Sequence, residues 1–130
     1  MSSFHFVEKE RVVYIDCDDT LLMWTFDEKV TPADEIVWIE DYGRILPFVP
    51  NRKNIEFAQR LKLQGYGVVV WSAAGAAWAR TVVSKLGLED LPDVVLAKPE
   101  LAMDDLLDAK KIIKSVIWLD PHTGEIKRGS

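Results

Sequence analysis

Four short apolar runs, each followed by a polar residue and spaced by segments of helical periodicity, constrain this chain most. They are Arg11-Val12-Val13-Tyr14-Ile15, Gly67-Val68-Val69-Val70-Trp71, Asp93-Val94-Val95-Leu96-Ala97 and Val116-Ile117-Trp118-Leu119. Short β-branched runs of this kind read as buried strands. A weaker strand candidate is Leu101-Ala102-Met103. Between them, Arg52 to Gln64 carries an apolar stripe of Ile55, Ala58 and Leu61, with Asn51 to cap it and Gly65 to end it. Ala76 to Leu86 repeats the pattern with Trp78, Ala79, Val82, Val83 and Leu86, and Gly87 as the stop. Leu106 to Ser115 is amphipathic, and Pro121-His122-Thr123-Gly124 reads as a turn before a tail. Strands alternating with helices predict an α/β fold, a parallel sheet with helices on both faces.

The segment from about 22 to 50 lacks helical periodicity. Glu35 to Ile39 and Arg44 to Phe48 flank Asp41-Tyr42-Gly43, which predicts a β-hairpin flap. Pro47 suits an edge strand. The segment is too short for a cap domain, so the expected organisation is one domain, 1–130, with an open site.

The 130 residues suffice to bury a core, and 48% hydrophobic with 28% charged is ordinary for a globular chain. One cysteine, Cys17, excludes an internal disulfide and fits a reducing compartment. The amino terminus lacks the basic start and apolar run of a secretory signal, and no stretch approaches membrane-spanning length. A cytoplasmic protein without membrane contact is expected. The net charge of -5 gives no general attraction to phosphate backbones. Arg52, Lys53, Arg60 and Lys62, and Lys110 onward to Arg128, read as solvated basic faces.

In parallel α/β sheets, ligands bind beyond the carboxyl ends of the strands. The polar residues gather there: Asp16, Asp18, Asp19 and Thr20 after the first strand, Ser72 after the second, Lys98 after the third, and Asp104 with Asp105 beyond. Crowded carboxylates need a cation or hydrogen bonds to offset their repulsion. Magnesium, a hard ion that takes one or two carboxylates, waters and a substrate phosphate, does this well. A serine hydroxyl and a lysine can hold phosphoryl oxygens, and a carboxylate can attack phosphorus to form an aspartyl-phosphate.

Four segments in order carry a family resemblance. Tyr14-Ile15-Asp16-Cys17-Asp18-Asp19-Thr20-Leu21 resembles the first signature of the haloacid dehalogenase superfamily. Val69-Val70-Trp71-Ser72 resembles the second, Lys98-Pro99 the lysine signature, and Met103-Asp104-Asp105 the acidic fourth. The chain looks most like the small cap-less phosphohydrolases often met in phages. The resemblance implies a Rossmann-like domain with five parallel strands in the order 5-4-1-2-3. It implies that Asp16 is nucleophile and magnesium ligand. Asp18 would be general acid/base and give the metal a backbone carbonyl. Ser72 and Lys98 would hold the phosphate, with Asp19, Thr20 and Ala73 beside them. Asp104 would ligate magnesium and Asp105 support it.

Two departures stand out. Asp19 holds a place where the family often has glycine. The gap from Lys98 to Asp104 admits one compact strand and no helix, so Asp120, after the strand Val116 to Leu119, is a second candidate for the fourth signature. The implied function is magnesium-dependent hydrolysis of a phosphomonoester, with a nucleotide or nucleic-acid end favoured among large substrates. The alternative is a phosphate- or nucleotide-binding or protein-interaction module on the same fold, without turnover. Cys17 reads as a buried spacer, and His5 and His122 as surface residues. Trp71, Trp78 and Trp118 read as core. Trp24 and Trp38, in the flap, can either stack on a substrate ring or pack the flap.

Overall fold

The computed structural model describes residues 9–105, 116–119 and 126–129. They divide between two units, residues 1–98 and 99–130.

In the first unit, β1 (Val12–Asp16), β5 (Gly67–Ser72) and β6 (Val94–Ala97) form a parallel sheet in the order β1-β5-β6. The register pairs Asp16 with Trp71 and Ser72 with Ala97, so the three strands end almost level. Two helices connect them: α1 (Arg52–Leu63) and α2 (Ala76–Lys85). Asn51 caps α1 by accepting from the Asn54 amide. Gly65, at φ 95°, takes the left-handed conformation that lets the chain leave α1 for β5.

The strand order runs one way across the sheet. Right-handed crossovers, the rule for such units, then put both helices on the same face. Burial agrees: Ile15, Val68 and Val70 share a core cluster with Ile55 and Ala58 of α1 and Ala79, Val82 and Val83 of α2. The opposite face carries Val12, Tyr14 and Leu96, all exposed. Thus the described helices cover one face of this sheet, where helices on both faces were expected.

The flap is a second, antiparallel sheet in the order β2-β4-β3, built from β2 (Leu22–Met23), β3 (Val37–Asp41) and β4 (Arg44–Pro50). The hairpin turns at Tyr42-Gly43, both at positive φ, as a two-residue primed turn requires. Leu22 pairs with Pro50 at its base. Ile39, Leu22 and Phe48 send side chains into the core cluster of the first unit.

In the second unit, β7 (Val116–Leu119) pairs antiparallel with β8 (Ile126–Gly129). This corrects two expectations: the segment read as tail contains a strand, and β7 has an antiparallel hairpin partner. Leu101 to Met103 forms no strand; its backbone is irregular and its side chains are exposed. Three residues without a β-branched side chain carry too little strand preference to pair. Among the described residues the parallel sheet therefore has three strands, not five. The expected helix at 106–115, the turn at 121–124 and Asp120 lie outside the described residues. No described helix is long and apolar enough to cross a membrane.

Candidate functional site

The site starts from the turn that follows β1. Cys17, fully buried, accepts backbone hydrogen bonds at its carbonyl from the amides of Thr20, Leu21 and Leu22. The Asp19 amide closes the turn on the Leu22 carbonyl at 2.7 Å, and Asp19 sits at φ 59°. Buried Asn54 of α1 donates its side-chain amide to the Thr20 carbonyl at 2.9 Å. The turn is thus fastened both to itself and to the first helix.

This fastening aims the polar side chains. Thr20 Oγ1 donates to Asp16 Oδ2 at 3.2 Å. Lys98 Nζ lies 3.1 Å from Asp16 Oδ1. Lys98 is held there because its backbone amide donates to the Ser72 carbonyl at 2.9 Å, one residue beyond β6. Ser72 is fully buried, and its Oγ accepts from the Ala74 amide at 3.0 Å. Ala73 and Ala74 are the exposed residues of that turn. Carboxylate, hydroxyl and lysine therefore meet at the carboxyl ends of three adjacent strands.

Asp18 points elsewhere. Its Oδ1 accepts from the indole of Trp24 at 3.0 Å and from the indole of Trp78 at 2.9 Å. The two indole rings lie 6.2 Å apart, and both contact the ring of buried Phe48. Asp19 turns away as well: its Oδ1 accepts from the Trp24 amide at 3.1 Å. Trp78, expected as plain core, is thus half-buried and bonded to Asp18. Trp24 packs the flap through Phe48 and bonds Asp18 at once. A sequence signal for Trp78 existed in its place on the first turn of the helix after Ser72, the helix end nearest the strand termini.

Asp18, Trp24 and Trp78 line a cleft of about 390 Å3, with Glu40, Asp41 and Tyr42 from the hairpin and Ala74, Ala77 and Thr81 from the α2 side. Trp38 is exposed and does not line it. None of Arg52, Lys53, Arg60 and Lys62 lines it either. Arg60 lies over the Phe57 ring, and Lys62 bonds the Leu91 carbonyl and faces Asp93.

Burial, with the charges of Asp16 and Asp18 behind it, pushes the Cys17 thiol up to about 12, against the pull of Lys98. It stays a neutral thiol at physiological pH, which makes it a poor nucleophile.

Asp16 and Asp18 offer the hard oxygen donors magnesium takes. Each carboxylate oxygen has two lone pairs, so Asp16 can keep Thr20 and Lys98 and still face a cation. Among the described residues, no three His, Cys, Asp or Glu side chains come together as a metal-holding group. The donor set of this unit suits a cation completed by waters and a phosphate. Asp104 and Asp105 belong to the second unit. No protein-family model matches the chain, and no curated protein matches it.

Proposed function

We propose that the chain is a magnesium-dependent phosphomonoester hydrolase acting through an aspartyl-phosphate on Asp16, with a Rossmann-like fold of the haloacid dehalogenase kind. The observation that carries this reading is the meeting of Asp16, Thr20 and Lys98 at the level ends of β1, β5 and β6, with Ser72 ending β5 and accepting the Lys98 amide at its carbonyl. Their chemistry suits phosphoryl transfer, where positioning and charge neutralisation are most of the protein's task.

In this mechanism Asp16 attacks phosphorus in line with the departing alcohol. Lys98 neutralises the phosphoryl oxygens, and Ser72 donates to one of them. The breaking P–O bond leaves its electron pair on the alcohol oxygen, which takes a proton from Asp18. Both indole bonds fall on Asp18 Oδ1, which leaves Oδ2 to exchange a proton with the alcohol. Asp18, now a carboxylate, accepts a proton from the water that cleaves the aspartyl-phosphate. Phosphate leaves and both acids return to their starting states. Magnesium held by Asp16 and the Asp18 backbone carbonyl would offset the charge of nucleophile and phosphate.

A phosphate-binding module without turnover is the second reading. One observation favours it: both Asp16 oxygens are engaged, Oδ1 by Lys98 and Oδ2 by Thr20. A single experiment separates the two. Phosphate release from an aryl phosphate is followed with and without magnesium, for the native chain and Asp16→Asn. The hydrolase reading expects magnesium-dependent release and a loss of about a thousandfold or more in Asp16→Asn. Retention of a tenth of the activity would remove Asp16 as nucleophile.

A further inference from the structure

The cleft beside Asp18 is not needed to hold a phosphate, and its lining differs in kind from the Asp16–Ser72–Lys98 cluster. Its aromatic members are Trp24, Tyr42 and Trp78, and its charged members are Asp18, Glu40 and Asp41, with no lysine or arginine among them. The general acid of a phosphomonoester hydrolase must reach the oxygen of the departing alcohol. Asp18, given that role above, is a wall of this cleft, held against it by two indole N–H groups. An alcohol that meets Asp18 therefore lies beside this cleft.

The hairpin tip supplies a separate observation. Tyr42 sits at φ 50° and is 98% exposed. A left-handed backbone is costly for an aromatic residue, and Asn or Gly fills such a turn position more easily. Its ring also buries almost nothing, so packing does not explain the choice. It lines the cleft together with Ala77, Trp78 and Thr81 of α2.

We propose that this cleft is the leaving-group subsite and that it selects a phosphomonoester whose alcohol carries an organic ammonium group. Aromatic faces attract such a cation through their quadrupoles, most strongly where water is partly excluded. Glu40 and Asp41 add opposite charge at the rim. The same carboxylates repel a leaving group that carries further phosphates, so a nucleic-acid end is disfavoured here. The proposal rests on the hydrolase reading for Asp18, while the binding of the cation itself does not.

The test pairs choline phosphate with its neutral isostere, in which carbon replaces the quaternary nitrogen. Expected is a kcat/KM at least about tenfold higher for the ammonium ester, a ratio that falls towards one in the Glu40→Gln/Asp41→Asn double variant. In parallel, free choline is titrated while the indole N–H resonances of Trp24 and Trp78 are followed by NMR. Turnover of both esters at equal kcat/KM overturns the ammonium subsite and leaves the hydrolase standing. Indole shifts with choline, lost in the double variant, but no release from either ester or from the aryl phosphate, support the cation site and overturn the hydrolase. Release from the aryl phosphate without indole shifts or a preference for the ammonium ester overturns the ammonium subsite alone. Preferred cleavage of a phosphorylated oligonucleotide also overturns the ammonium subsite.

Discussion

Asp19 and Tyr42, the two non-glycine residues at positive φ among those described, hold the same unfavourable backbone in opposite surroundings. Asp19 lies in a turn with its own amide bonded at 2.7 Å, its carboxylate capping Trp24, and the neighbouring Thr20 carbonyl anchored by Asn54. Tyr42 lies at a bare hairpin tip, fixed by the register of β3 on β4. Strain persists where the surroundings over-determine it. The turn after β1 is over-determined and presents groups at set distances. The hairpin tip is not, and it presents a ring free to adjust. The proposed chemistry uses the rigid turn, and the proposed selection uses the adjustable tip.

Asn54→Ala attacks the rigid side and has the largest expected effect. It strips the Thr20 carbonyl of its donor, a loss of about 1–3 kcal/mol for a part-buried acceptor. Urea unfolding should show that loss, and phosphate release should fall with it because Thr20 no longer steers Asp16. Full stability in Asn54→Ala would mean that the turn holds itself without α1.

Cys17 tests the same turn through pH. In the unfolded chain the thiol ionises near 9.0, and in the folded chain near 12. Below pH 9.0 both states keep the proton and the contribution is fully present. Above it the unfolded chain loses its proton while the folded chain does not, so stability falls by about 1.4 kcal/mol per pH unit towards 12. Cys17→Ala removes this slope. Unfolding measured at pH 8 and pH 10 should bring the variant closer to the native chain at the higher pH. Parallel curves would show that the thiol is not shielded.

Tyr42→Asn probes the adjustable side and has the smallest effect. Asparagine tolerates the left-handed backbone, so the variant should gain about 0.5–1 kcal/mol, part of the penalty an ordinary side chain incurs there. Thermal unfolding checks it. A destabilised variant would mean that the Tyr42 ring packs in solution, and the contrast with Asp19 would fail.

These particulars show what was legible in the sequence. β1, β5 and β6 could be read because each is an apolar run between turn residues, and α1 was placed to within a residue by Asn51 and Gly65. The hairpin was signalled by Asp41-Tyr42-Gly43. Composition did not reveal partners. Val116 to Leu119 reads as a strand in any sheet, and only pairing with Ile126–Gly129 decides which. Lys127 and Arg128 made that partner look like solvated tail. At the site, the motif spacing located Asp16, Ser72 and Lys98. It could not reveal that Asp18 faces the tryptophans, because a carboxylate's direction follows from donors distant in sequence, and Trp78 lies 60 residues away.

The pairing of Leu22 with Pro50, reinforced by the Asn51 amide on the Leu21 carbonyl at 2.8 Å, brings the two ends of the flap side by side. To the rest of the first unit, the flap is a side excursion that begins and ends at one point. Lengthening such a closed excursion costs little, about 0.6 kcal/mol of chain entropy per doubling. The register of β1 on β5 is set outside the excursion, whose Ile39 and Phe48 must stay to fill the core. The flap base is therefore a natural grafting point, where a longer or differently shaped lid could be exchanged without re-registering the strands that carry Asp16, Ser72 and Lys98.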